Sequence, residues 1–291
     1  MRHASRDRRL LPGRHQPGPS SASGRRRRYS TASRAGRTAR MALSGTERLT
    51  ARATASTRWA VQREDAAMLR QLAENLWVAE RPHRFYGLEV GSRMTVIRLG
   101  GGELFLHSPL PMDSALRREL DELGPVRYAV APNRFHHLYA GEVTRAYPEA
   151  RLWVAPGLES KRPDLPITGV LGEEPVEAWA NDITHLFVRG RPMENEVVFL
   201  HRPSRTLILC DLAFNFGRRT PALTRVLLSA VGAYGHFATT KLDRFLVRDR
   251  DSFRRCIETV LSWDFDRIVV AHGEILESGG PRALRRAYDW I

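Results

Sequence analysis

Four polar residues in this chain follow directly on short, strongly apolar runs. His136 and His137 come just after residues 126–130, Asp211 directly after 206–210, and His272 directly after 267–271. Apolar runs of this length, bounded by Pro, Gly or Asp, read as buried strands. The carboxyl ends of strands are where α/β folds collect their sites. Imidazole together with carboxylate is the ligand set of Zn, Fe or Mn. If these groups converge, His136, His137, Asp211 and His272 hold one divalent ion. A water on that ion falls from a pKa near 15.7 toward about 7 and supplies hydroxide at neutral pH. Asp211 then acts as ligand and orienter, and His137, or His136 in its place, as ligand or proton shuttle. Gly273 beside His272 gives a ligand room to approach the backbone. Taken singly, each residue has a plainer reading. A strand-end histidine is ordinarily a hydrogen-bonded core or rim group, and His107, His185, His201 and His236 keep that reading. Asp211 alone reads as a loop or helix cap.

Two halves of alternating strands and helices must position these groups. In the first, residues 94–99 and 103–107 form a hairpin around Gly100-Gly101-Gly102, with a further strand at 76–79. Asp113 caps a helix to Leu123, and a strand at 126–130 leads into a helix from about His137 to Tyr147. A strand at 152–154 follows. In the second half, a strand at 183–188 precedes a hairpin of 196–201 with 206–210. Asp251 caps an amphipathic helix carrying Phe253, Cys256, Ile257, Val260 and Leu261. A strand at 267–271 and a helix opened by Pro281 complete it. That order implies two sheets packed face to face with helices outside.

Charge locates the rest. The 291 residues carry a net +14, of which +12 lies in residues 1–67 and only +2 in residues 68–291. A near-neutral body argues against a polyanion-wrapping surface and so against nucleic acid as a partner, except through the tail. Two cysteines, Cys210 and Cys256, are too few for a disulfide framework. No apolar run reaches the ~18 residues of a membrane span, so no membrane partner is expected. The most apolar window, 226–234, is short and flanked by charge. Residues 1–67, Arg- and Ser-rich with Arg25-Arg26-Arg27-Arg28, cannot bury enough surface to order themselves. They read as a disordered tail: an anionic-surface arm, an organellar transit segment, or upstream sequence before a start at Met68. The last reading is favoured. Without an apolar secretory region, the expected location is the cytoplasm.

The order of motifs resembles the metallo-β-lactamase-like superfamily, in which a strand leads into a His-x-His-x-Asp-His motif. An Asp after a hairpin strand and a His after a late strand follow, here Leu209-Cys210-Asp211-Leu212 and Val270-Ala271-His272-Gly273. More narrowly, the chain is similar to a domain-of-unknown-function branch of that superfamily. Arg93-Met94-Thr95-Val96, His107-Ser108-Pro109, Pro132-Asn133 with His136-His137, and Asp211-Leu212 with Phe214-Asn215 carry that similarity. The resemblance covers residues 68–291 and implies an α/β, four-layer αββα sandwich with the site on its upper edge. The motif is degenerate. With His137 aligned to its last His, Pro132 and Arg134 stand where the two leading His belong, and His136 stands where the Asp belongs. The loop 190–196 supplies no further His. The resemblance therefore implies an atypical mononuclear site holding one divalent ion, zinc first, with Asn133, Glu194 or Glu196 as extra groups. Arg134 and Arg191, with Asn133, would face a small anionic substrate such as a carboxylate or phosphate. The function implied is a metal-dependent hydrolase-like protein acting on an ester, thioester or phosphoester. The alternative is a non-catalytic binding or scaffold sandwich without metal.

Overall fold

A computed structural model describes residues 68–291. The expectations about the tail fall outside the described residues. Thirteen strands and seven helices are described: β1 Leu69–Ala73, β2 Leu76–Arg81, β3 Arg84–Phe85, β4 Leu88–Glu89, β5 Ser92–Arg98, β6 Leu104–His107, α1 Ser114–Leu123, β7 Val126–Ala131, α2 Ala140–Ala146, β8 Arg151–Val154, α3 Leu158–Lys161, β9 Ile167–Val170, β10 Ile183–Phe187, β11 Val197–His201, β12 Thr206–Leu209, α4 Ala222–Ala230, α5 Asp243–Leu246, α6 Arg250–Leu261, β13 Arg267–Val270 and α7 Gly280–Ala287.

A seven-stranded sheet runs β1-β2-β5-β6-β7-β8-β9, and a four-stranded sheet runs β10-β11-β12-β13. Side-chain alternation along the strands builds the layers. On β2, Trp77 and Ala79 face one cluster while Leu76 and Val78 face another. β6 divides Leu104 and Leu106 from Phe105 in the same way. On the second sheet, Val198 and Leu200 face outward, whereas Val197 and Phe199 turn to the shared core. The shared core, centred on Phe105, Trp179, Phe199, Ile208 and Val269, lies between the sheets. Leu116 and Leu120 of α1 and Val143 of α2 cover the first sheet from outside. Phe253 and Ile257 of α6 and Leu284 of α7 cover the second. The result is the four-layer αββα sandwich.

Local signals explain the boundaries. Asp113 accepts a hydrogen bond from the Leu116 amide, as its position before α1 requires. The cap of α6 is Asp249, not Asp251, because Asp249 accepts from the Ser252 amide. The helix expected from His137 begins only at Ala140. Asn133 Oδ1 accepts from the amides of Phe135 and His136, and this side-chain turn competes with a helix over residues 133–139. Among the described residues, no helix is long and apolar enough to cross a membrane.

Candidate metal centre

Three side chains converge where the two sheets meet. His136 lies in the turn after β7, Asp211 two residues past β12, and His272 two residues past β13. The Nε2 atoms of His136 and His272 are 3.2 Å apart. His136 Nε2 lies 3.5 Å from Asp211 Oδ2, and His272 Nε2 lies 3.4 Å from Asp211 Oδ1. Among the described residues, His136, Asp211 and His272 are the group whose nitrogen and oxygen atoms lie close enough to share an ion.

The surroundings fix which atoms are free to bind. His272 Nδ1 lies 2.7 Å from the Gly91 carbonyl oxygen. A carbonyl only accepts, so Nδ1 carries the proton and Nε2 presents its lone pair to the cluster. His136 Nδ1 meets Ser108 Oγ at 2.7 Å, and a hydroxyl that accepts there leaves Nε2 free in the same way. Ser108 holds this place with a φ of 55°, a conformation uncommon for a residue with a side chain. Asp211 Oδ2 accepts from Asn133 Nδ2 at 2.7 Å, and the Asp211 amide donates to Glu196 Oε2 at 2.7 Å. Burial pushes the Asp211 carboxyl up, but the two imidazoles outweigh it and hold it well below the usual range. Glu196, wholly buried behind it, is pushed up to about 7 by burial and by the Asp211 charge.

A second set of bonds holds His272 itself. Arg93 is buried and donates to the carbonyls of Val270 and Gly273, which flank His272. Gly273 has φ 93°, and a Cβ there would lie 2.3 Å from the Asn215 carbonyl oxygen. A side chain at this position would therefore meet the backbone at Asn215.

The remaining expected residues are placed differently. His137 is not among the converging groups. Its Nδ1 lies 3.0 Å from Arg162 Nη1, and a guanidinium only donates. Nδ1 must therefore accept, which leaves Nε2 protonated and neither nitrogen ready to bind metal. Burial, together with Lys161 and Arg162, lowers His137 to about 4. Arg191 is buried, and its Nη2 pairs with Glu194 at 2.9 Å and Asp243 at 2.8 Å, away from the converging groups. Asn133 is fully buried and spends its side chain on Asp211, Glu196 and the turn amides. Arg134 is half-buried and donates to the Pro192 carbonyl at the rim. Glu194 pairs with Arg191 and Glu196 supports Asp211 from behind, and neither is among the three converging groups. Ser108, Gly91 and Arg93 went unassigned from the sequence, although Ser108 and Arg93 stand in the runs that carried the resemblance.

Three donors at these separations could hold one ion. A tetrahedral ion at 2.0–2.1 Å from its ligands sets them about 3.3–3.4 Å apart. Among the described residues, no Arg or Lys side chain hydrogen-bonds to the three. A cavity of about 700 Å³ lies against the backbone on either side of His272, lined by Gly91, Arg93, Phe216, Arg219, Ala271 and Gly273; the three donor side chains are not on its walls.

Residues 73–243 match the family described as Domain of unknown function (DUF4336). Among solved structures, the chain is similar to a metallo-β-lactamase from Hirschia baltica, with 13% identity over 76% of this chain and 95% of that one, and a TM-score of 0.52. It is likewise similar to a metallo-β-lactamase from Erythrobacter litoralis, with 14% identity over 76% and 94% of the chains and a TM-score of 0.55. The metallo-β-lactamase FIM-1 from Pseudomonas aeruginosa, in its mono-zinc form, gives 11% identity over 76% and 94%, with a TM-score of 0.53. At these identities the likeness shows the fold. No curated protein matches the sequence.

Proposed function

The chain belongs to the DUF4336 family, and from that premise we propose that it is a metal-dependent hydrolase-like enzyme with one divalent ion, zinc by preference. The observation that carries this reading is the donor spacing of 3.2–3.5 Å among His136, Asp211 and His272. Two imidazoles and one carboxylate are a recurrent catalytic zinc set, in which the fourth position is left to water. When bound, the ion would make that water acidic enough to give hydroxide near pH 7. The chain's own residues do the rest. Gly91 and Ser108 aim the imidazoles. Asn133 and the Glu196-anchored backbone aim the carboxylate, which stays charged at neutral pH. The substrate we favour is a small anionic ester, thioester or phosphoester entering by the cavity beside His272. Arg134 at the rim is left as its cationic contact.

The direct approach of His136 Nε2 to His272 Nε2 favours one competing reading. A proton shared between them closes the cluster without an ion, and the sandwich then binds without turning anything over. Metal analysis of the purified full chain separates the two. The enzyme reading expects one equivalent of metal and turnover of p-nitrophenyl esters or phosphodiesters, both lost in His272→Ala while the fold is kept. A folded protein with far less than one equivalent after zinc loading, and no turnover, overturns it.

A further inference from the structure

Helix α4 places its apolar stripe on the wrong side for a core helix. Leu223, Val226, Leu227 and Ala230 stand at i, i+3, i+4 and i+7, the spacing of a face that normally packs inward. Here Leu223 and Val226 are 68% and 66% exposed, and Thr224 is the buried residue of the helix. The face continues in both directions. At one side α4 packs beside β4, whose hairpin exposes Phe85 and Tyr86. At its end the Lys241 amide donates to the Val231 carbonyl, which ties α4 to the segment leading into α5 with its exposed Phe245. An apolar surface spread over three elements needs a partner.

The charges around it choose that partner. Residues 217–248 carry six cations, Arg218, Arg219, Arg225, Lys241, Arg244 and Arg248, all exposed. The one acid in that stretch, Asp243, is buried against Arg191. The remainder of 68–291 has a net charge of −3, so the asymmetry is local. A second copy of the chain would set six cations against six, and the +12 segment 1–67 is repelled for the same reason. We propose that the β3–β4 hairpin, α4 and α5 form a docking face for an anionic lipid bilayer. Leucine, valine and phenylalanine enter the interface, and arginine meets the headgroups. The face adjoins the cavity beside His272, since Thr220 and Pro221 at the start of α4 line that cavity with Gly91 and Gly273.

The test uses the full chain and vesicles of phosphatidylcholine with and without 30% phosphatidylglycerol. Because the tail could bring the chain to such vesicles by charge alone, the readout must sit on the face. The native cysteines are both buried, so an environment-sensitive dye can be attached at Val226→Cys or, outside the face, at Glu258→Cys. The expected result is a blue shift at position 226, not at 258, with anionic vesicles, weakened in 0.5 M salt. Leu223→Asp should lower partitioning about tenfold or more, since burying one leucine is worth more than a decade in equilibrium constant. Pelleting with no shift at 226 assigns binding to the tail and overturns the proposal, as does no binding at all. A concentration-dependent shift without lipid assigns the face to a second protein molecule and overturns it equally.

Discussion

Asn133→Ala tests whether the cluster is held by its supports. The side chain makes four hydrogen bonds: Nδ2 to Asp211 Oδ2 at 2.7 Å and to Glu196 Oε2 at 3.2 Å, and Oδ1 from the amides of His136 at 2.7 Å and Phe135 at 2.9 Å. Bonds to carboxylates are worth about 1.5–3 kcal/mol each and neutral ones about 0.5–1.5 kcal/mol. Because Asn133 is fully buried, water cannot readily replace them. Two of each sum to about 4–9 kcal/mol, and because such terms do not add fully we expect a loss toward the lower end, about 4–6 kcal/mol, a large share of a typical domain's stability. Metal affinity should fall separately, by about 10- to 100-fold, because the turn that carries His136 and the donor that aims Asp211 are lost together. Urea unfolding of the metal-free protein gives the first quantity and calorimetric zinc titration the second. Asn133→Asp sharpens the test. It keeps the acceptor for the two amides but sets a third carboxylate beside Asp211 and Glu196, so it should recover stability at low pH and lose it again as pH rises. If Asn133→Ala unfolds within about 0.5 kcal/mol of wild type and binds zinc equally well, the account of how the site is held is wrong.

Burial depresses His107 to about 3 and His201 to about 4, so both are neutral in the folded protein and take up protons on unfolding below their ordinary 6.5. Stability should therefore fall as pH drops below 6.5, by about 2 kcal/mol from His107 alone at pH 5, and His107→Gln should flatten that limb in thermal melts. Glu196, raised to about 7, acts with the opposite sign: its share of stability is present below 4.5 and lost as pH rises to 7. Gly273→Ala should lower stability by about 2 kcal/mol or more, since its Cβ meets the Asn215 carbonyl and its φ of 93° is strained; an unchanged melting temperature would refute that contact. Arg191→Met should cost about 3–5 kcal/mol by stranding Glu194 and Asp243. A raised KM with an unchanged unfolding midpoint would instead return Arg191 to the substrate.

What could be read from the sequence follows the range of the physics. Strand periodicity and the Asp113 cap are local, and the structure places them where the pattern does. Asp211 and His272 were legible because each follows a buried strand whose direction is fixed. The choice between His136 and His137 was not, because adjacent residues in a turn have no period to separate them. It is set by Asn133 Oδ1 pinning the His136 amide and by Arg162, 25 residues beyond His137, taking its Nδ1. The pairing of Arg191 has no local signature for the same reason: its partner Asp243 lies 52 residues away. The cap at Asp249 rather than Asp251 is a two-residue shift between equivalent side chains. The exposed stripe of α4 was hidden because apolar spacing is the same whether a helix packs inward or outward.

The cluster draws His136 from one sheet and Asp211 and His272 from the other, so its geometry depends on how the sheets sit against each other. The apolar core between them, around Phe105 and Phe199, gives that packing its strength but little of its direction, because apolar contacts tolerate small shifts. Direction comes from polar ties across the seam. Arg93 of β5 reaches the carbonyls on either side of His272. Asn133 reaches Asp211 and Glu196, and the Val197 amide donates to the Pro132 carbonyl. Gly91 receives His272 Nδ1. Each tie ends on a cluster residue or within four residues of one. Hydrogen bonds lose strength over a few tenths of an ångström, on the scale that a metal–ligand distance demands. That is a physical reason for the runs at Arg93 and Asn133 to stand beside His136, Asp211 and His272: they hold the edges of two sheets at coordinating distance, while Ser108 orients His136 within its own sheet.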